Sequence, residues 1–156
     1  MESPQAGVYT ASLTPLFDSF EPNIPALIRH AQWLLDEGSD GVALLGSTGE
    51  SNSMTVEQRQ SIIEQSVLEL PPDRLMMGTG SCALQDAVRL TQASVNAGVF
   101  SVLVLPLFIT NRKAKKVFSV FFHCWLKQLT IPICESFFTI SRNSAGIISV
   151  SRFCRN

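Results

Sequence analysis

A parallel-sheet α/β fold follows from three features of this 156-residue chain. Short apolar runs alternate with amphipathic stretches, at intervals of roughly 25–35 residues. One of these runs, GVALLG at residues 41–46, is unbroken by polar residues, as a strand buried on both faces requires. Glycine stands just beyond two of the amphipathic stretches, at Gly38 and Gly98, where a helix needs a residue that tolerates positive φ.

The elements follow in order. Residues 7–17, GVYTASLTPLF, are β-rich and reach a proline, which predicts a strand and then a loop. From Ile24 to Glu37 the apolar residues Ile24, Leu27, Ile28, Ala31, Leu34 and Leu35 keep helical spacing. Residues 41–46, GVALLG, predict the second strand. Thr55-Val56-Glu57-Gln58 has the form of a capping box and opens a second helix. Ile62, Ile63, Val67 and Leu68 are its expected inward residues, and Pro71-Pro72 stops it. RLMMGTG, from Arg74 to Gly80, predicts the third strand, and Leu84 to Ala97 the third helix. FSVLVL, from Phe100 to Leu105, predicts the fourth strand.

Such an alternation closes as an open doubly wound sheet or as a (β/α)8 barrel. In both, the functional loops lie at the C-terminal ends of the strands. That singles out Thr14-Pro15, Gly46-Ser47-Thr48-Gly49-Glu50 and Thr79-Gly80-Ser81. The first strand is followed by TPLFDSF rather than a G-x-G-x-x-G run, which argues against a dinucleotide site. The loop from Gly46 to Glu50 is the most informative. Two adjacent hydroxyls between glycines bring short donors and backbone N–H groups together, a cradle for a small carboxylate or phosphate. The same residues also suit a plain turn whose Ser and Thr bond only their own backbone.

Composition narrows the function classes. Lys and Arg number 12 against 13 Asp and Glu, so the net charge is −1 and the chain as a whole is not a nucleic-acid binder. No apolar run of 18 residues escapes a charge or a proline, so no membrane span is expected. MESPQAGVY lacks a basic or apolar leader, and the 4 cysteines lack close spacing; a cytoplasmic protein with reduced thiols is expected. The neutrality hides a break after Pro106. Residues 1–106 hold 12 acidic and 4 basic residues, whereas residues 107–156 hold 1 acidic and 8 basic. The second segment also carries 7 of the 10 Phe and only 1 of the 9 Gly.

Residues 7–106 resemble the dihydrodipicolinate synthase / N-acetylneuraminate lyase family of class I, pyruvate-handling aldolases. The likeness is carried by GVYTASLTPLF, DEGSDGVALLGSTGES, MTVEQRQSIIE, MMGTGS and AGVFSVLVLP, in that order. GSTGE after an apolar strand is the most diagnostic of these. The resemblance implies the N-terminal part of a (β/α)8 barrel, here ending after about the fourth strand, with an atypical basic, Phe-rich C-terminal tail. It implies a lyase or synthase that condenses a barrel lysine with pyruvate or a 2-keto acid as a Schiff base, an electron sink for C–C bond making or breaking. No cofactor or metal is implied, and the family is homo-oligomeric. By the same resemblance Ser47 and Thr48 hold the pyruvyl carboxylate, and Ser47 serves in a proton relay with a tyrosine. Gly46 and Gly49 shape the loop, and Glu50 is structural, anchoring a helix N-terminus.

Departures from the family follow Pro106. The family's catalytic Tyr and Schiff-base Lys belong to the fifth and sixth strands, and a full barrel needs about 250 residues. The single Tyr here is Tyr9, and the 4 Lys are Lys113, Lys115, Lys116 and Lys127. Two domains are therefore expected, a partial barrel over 1–106 and a non-family tail over 107–156. One lost base near Pro106-Leu107 accounts for that tail. Read one frame over, Leu107–Phe118 permits FYYKPKSEEGLF, and Trp125–Asn143 permits a stretch containing LYHFP, both family-like. The expected outcome is an inactive fragment that leaves a sheet edge unpaired unless the apolar tail covers it.

Two readings from other classes compete. One is a half-barrel interaction protein that docks by its basic tail. The other is a membrane-peripheral module using residues 117–133, with Phe118, Phe121, Phe122 and Trp125 as its apolar stripe. Cys124, Cys134 and Cys154 lack metal-ligand spacing even with His123. His30 reads as packing or solvent-facing, and Cys82 as a thiol near the end of the third strand.

Overall fold

The computed structural model describes residues 7–99, 101–104, 124–125, 127–129 and 148–151. Strand β1 (Tyr9–Ala11) leads to helix α1 (Ile24–Asp36), β2 (Gly41–Leu44), α2 (Val56–Glu69), β3 (Leu75–Gly78), α3 (Leu84–Asn96) and β4 (Ser101–Val104). A further strand, β5, spans Ile148–Ser151. The sheet order is β1-β2-β3-β4-β5, and β1 to β4 are parallel. A doubly wound sheet reverses its strand order at a switch point. Here the order follows the chain without reversal, which is the winding of a (β/α)8 wall.

The helix ends are built as their residues predict. The Asn23 side chain accepts from the Ala26 N–H at 3.1 Å. The Thr55 hydroxyl accepts from the Gln58 N–H at 3.2 Å while the Gln58 side chain accepts from the Thr55 N–H at 2.8 Å. Gly38 and Gly98 take φ of 102° and 92° after α1 and α3.

The core lies between the sheet and the three helices. Val42, Leu44, Leu75 and Met77 point to the helices and pack with Leu27, Ala31 and Leu35 of α1, Ile62 and Ile63 of α2, and Leu90 of α3. The alternate strand residues Ala43, Met76 and Leu103 are only half-buried. The expectation of a second strand buried on both faces thus holds for one face, because the helices cover only one side of the sheet. Leu68, expected inward, is 81% exposed. One residue past Val67 turns the side chain about 100° around the helix, off the buried stripe.

Of the two outcomes expected for the sheet edge, it is the covered one that the structure adopts. β5 pairs antiparallel with β4, Val102 opposite Val150 and Val104 opposite Ile148, and so fills the edge that β4 would leave open. An edge strand's N–H and C=O groups bond any extended segment brought alongside. Trp125 is fully buried and Leu129 nearly so, which removes Trp125 from a membrane-facing stripe. Phe118, Phe121 and Phe122 lie outside the described residues, as do Lys113, Lys115, Lys116, Cys134 and Cys154. Among the described residues no helix is long and apolar enough to cross a membrane.

Candidate functional site

The loop after β2 begins with a backbone constraint. Leu45 is buried and takes φ 58°, which turns the chain out of the sheet earlier than the apolar run GVALLG predicts. Its carbonyl lies directly over β3. A Cβ on Gly78 would sit 1.9 Å from the Leu45 oxygen, so only glycine lets the two backbones cross.

From there the chain folds back on itself. The Glu50 N–H donates to the Ser47 carbonyl at 3.2 Å, and the Ser51 N–H to the Gly46 carbonyl at 3.4 Å. Gly49 rests against the loop that follows β1. A Cβ there would meet the Ser12 carbonyl and the Thr14 hydroxyl at 3.1 Å, and that hydroxyl donates to the Gly49 carbonyl at 2.8 Å. Two of the three loops singled out in the sequence are thereby joined, with Thr14 bracing the Gly46–Glu50 turn.

Ser47 and Thr48 stand at the crest of that turn, exposed, while Gly46 and Gly49 are buried beneath them. Among the described residues neither hydroxyl makes a hydrogen bond, so the self-bonded turn is not the conformation adopted. Glu50 differs from expectation. It takes φ 52° at the head of a short 3-10 turn, Ser51–Ser53, and its side chain bonds none of that turn's N–H groups. Its part is the backbone kink.

The third loop is committed to support. Thr79 is fully buried, its N–H donates to the Leu103 carbonyl at 3.0 Å, and its hydroxyl pairs with that of Thr91 at 2.9 Å. The Ser81 hydroxyl accepts from the Ala83 N–H at 3.3 Å, and Cys82 is exposed. His30 stacks on Trp33 of the same helix with ring centres 5.8 Å apart, a packing role.

Tyr9 is at the opposite end of the sheet. Its ring covers Gly41, and burial raises its pKa, with Asp73 and Asp40 adding to the rise and Arg74 opposing it. A relay between Tyr9 and Ser47 is therefore ruled out by placement.

Sequence reading missed Arg59. It is 3% exposed, and one terminal nitrogen donates to the carbonyls of Gly78 and Gly80 at 2.9 Å each. Burial lowers its pKa, and the Asp86 carboxylate partly offsets that. The available signal is positional: Arg59, Ile62, Ile63 and Ser66 share one buried stripe of α2, so a charge sits where apolar residues are expected.

The Dihydrodipicolinate synthetase family matches residues 4–122. The 4-hydroxy-tetrahydrodipicolinate synthase of Desulforudis audaxviator is 31% identical over 128 residues, which cover 81% of this chain and 43% of that protein. The crystal structure of dihydrodipicolinate synthase from Agrobacterium tumefaciens superposes with a TM-score of 0.74 at 26% identity, over 81% of this chain and 44% of that one. A prophage protein of E. coli, YagE, solved in complex with pyruvate, shares the fold with a TM-score of 0.69 at 22% identity, over 81% and 42%. The chain thus spans less than half the length of the relatives it matches.

Proposed function

The chain belongs to the dihydrodipicolinate synthetase family, and on that premise we propose that Ser47 and Thr48 hold the carboxylate of pyruvate or a related 2-keto acid. The observation that carries this reading is the exposed pair of hydroxyls, without partners among the described residues, at the C-terminal end of a parallel strand. A carboxylate placed over the turn accepts from both hydroxyls, and bonds to a charged acceptor are the stronger kind.

In the aldolases this family resembles, the keto carbon is then bonded to a lysine as an imine. Residues 1–112 contain no lysine, and Lys127 is exposed. On this reading residues 1–112 bind the keto acid without supplying the lysine that activates it. The abrupt change of charge at Pro106 supports the accompanying proposal that residues 107–156 are the product of a shifted reading frame. Sequencing the gene beyond codon 106 tests that proposal, and an intact, unrelated frame in close relatives overturns it.

The binding reading is tested by titrating the purified chain with pyruvate under NMR observation, then adding borohydride and weighing the protein. Saturable shifts of the Ser47 and Thr48 amides, lost in the Ser47→Ala/Thr48→Val variant, together with an unchanged mass, are expected. A borohydride-fixed adduct on any lysine refutes the inactive reading, and binding undiminished in the double variant refutes the site.

A further inference from the structure

We propose that Arg59 is a positioning residue that sets the Ser47–Thr48 turn by pinning the end of β3 beneath it. The starting point is a cost. A buried guanidinium is expensive to desolvate, and no carboxylate is bonded to this one among the described residues. Its Nε has no hydrogen-bond partner either. An apolar side chain of similar volume would suit the core stripe of α2 better, so packing does not account for an arginine here.

What the arginine supplies is geometric. Its two bonds reach the carbonyls of Gly78 and Gly80, on either side of Thr79. Thr79 is itself held by Leu103 and Thr91, so the end of β3 is secured from α2, α3 and β4 together. That end is the surface on which the loop after β2 rests. An added Cβ on Gly78 would lie 1.9 Å from the Leu45 oxygen and 3.0 Å from the Gly46 nitrogen. At this separation a displacement of the β3 end presses directly on the backbone of Leu45. Leu45 is also the left-handed residue from which the turn departs, so a shift there re-aims both hydroxyls.

The binding part of the inference rests on the keto-acid reading above; the mechanical part does not. Amide exchange of Glu50 and Ser51 reports the turn directly, because their N–H groups bond Ser47 and Gly46. In Arg59→Met their protection is expected to fall roughly tenfold, and pyruvate affinity to weaken about tenfold. Ile62→Val, a core change on the same helix face, is the control and leaves both near wild type. Arg59→Lys restores part of the protection, since a single ammonium reaches one carbonyl rather than two. The inference is overturned if Arg59→Met leaves the two amides as protected as in wild type, or if Ile62→Val exposes them equally. Should Arg59→Met fail to fold, Arg59→Lys decides: intermediate protection supports the inference and wild-type protection refutes it. Wild-type protein that ignores pyruvate refutes the keto-acid reading alone, and the exchange comparison still decides the role of Arg59.

Discussion

The two ends of one parallel sheet are built on opposite terms. At the N-terminal end the polar groups are consumed by one another. Arg74 donates to the Asp40 and Ser39 carbonyls at 2.8 and 2.5 Å, the Asp40 carboxylate accepts from the Val8 N–H at 2.7 Å, and the Thr10 and Ser39 hydroxyls pair. At the C-terminal end, Leu45 and Glu50 take positive φ, two glycines allow close backbone crossings, and two hydroxyls are left exposed. Saturated donors stabilise; unspent donors on a braced frame bind. The difference sets a stabilising end apart from the end where we propose the keto acid is held.

The strongest way to break this division is to disturb the frame at the recognition end. Gly78→Ala places a Cβ 1.9 Å from the Leu45 oxygen, a clash with backbone that no side-chain movement relieves. A loss of about 3 kcal/mol in urea unfolding is expected, along with displaced Ser47 and Thr48 amide resonances. A variant as stable as the parent would show that the crossing is looser than described.

At the other end, Arg74→Met removes two charge-assisted bonds to backbone carbonyls. It should cost about 2 kcal/mol while pyruvate affinity stays within about twofold, because distant sites act independently. A large loss of affinity here would erase the division between the ends. The Ser47→Ala/Thr48→Val variant is its mirror image. Unfolding free energy should stay within about 0.5 kcal/mol of the parent, with the pyruvate-dependent shifts abolished.

The smallest effect is visible only in alkali. The pKa of Tyr9 is raised in the fold, so the folded state favours the neutral phenol. That contribution is fully present below the unfolded tyrosine pKa of about 10 and is lost as pH rises through the folded value. Tyr9→Phe should match the parent at neutral pH and lose less stability above it in pH-dependent denaturation. Parallel alkaline curves for the two proteins would remove Tyr9 from the electrostatics of that end.

Much of this was legible along the chain because its signals are local. Helical spacing placed the buried residues of α1, the capping box at Thr55 formed as written, and Gly38 and Gly98 closed their helices. The pairing of small residues marked Ser47 and Thr48. Other features depend on partners remote in sequence. Thr79 lies by position in a functional loop, yet its hydroxyl is bonded by Thr91, and Arg59 serves glycines 19 and 21 positions away. β4 acquires β5 across more than forty intervening residues, a pairing that no local pattern announces.

Period, capping and glycine placement are nearest-neighbour chemistry, and from them the sequence alone determined the order of strands and helices and the loop that carries the hydroxyls. The choice of a singly wound wall over a doubly wound sheet, and which loops meet at the site, was decided by tertiary structure. So was the conversion of a helix arginine into a strut beneath that site. The reason is physical: backbone groups at strand ends must find partners, and which partner is near is a property of packing rather than of sequence distance.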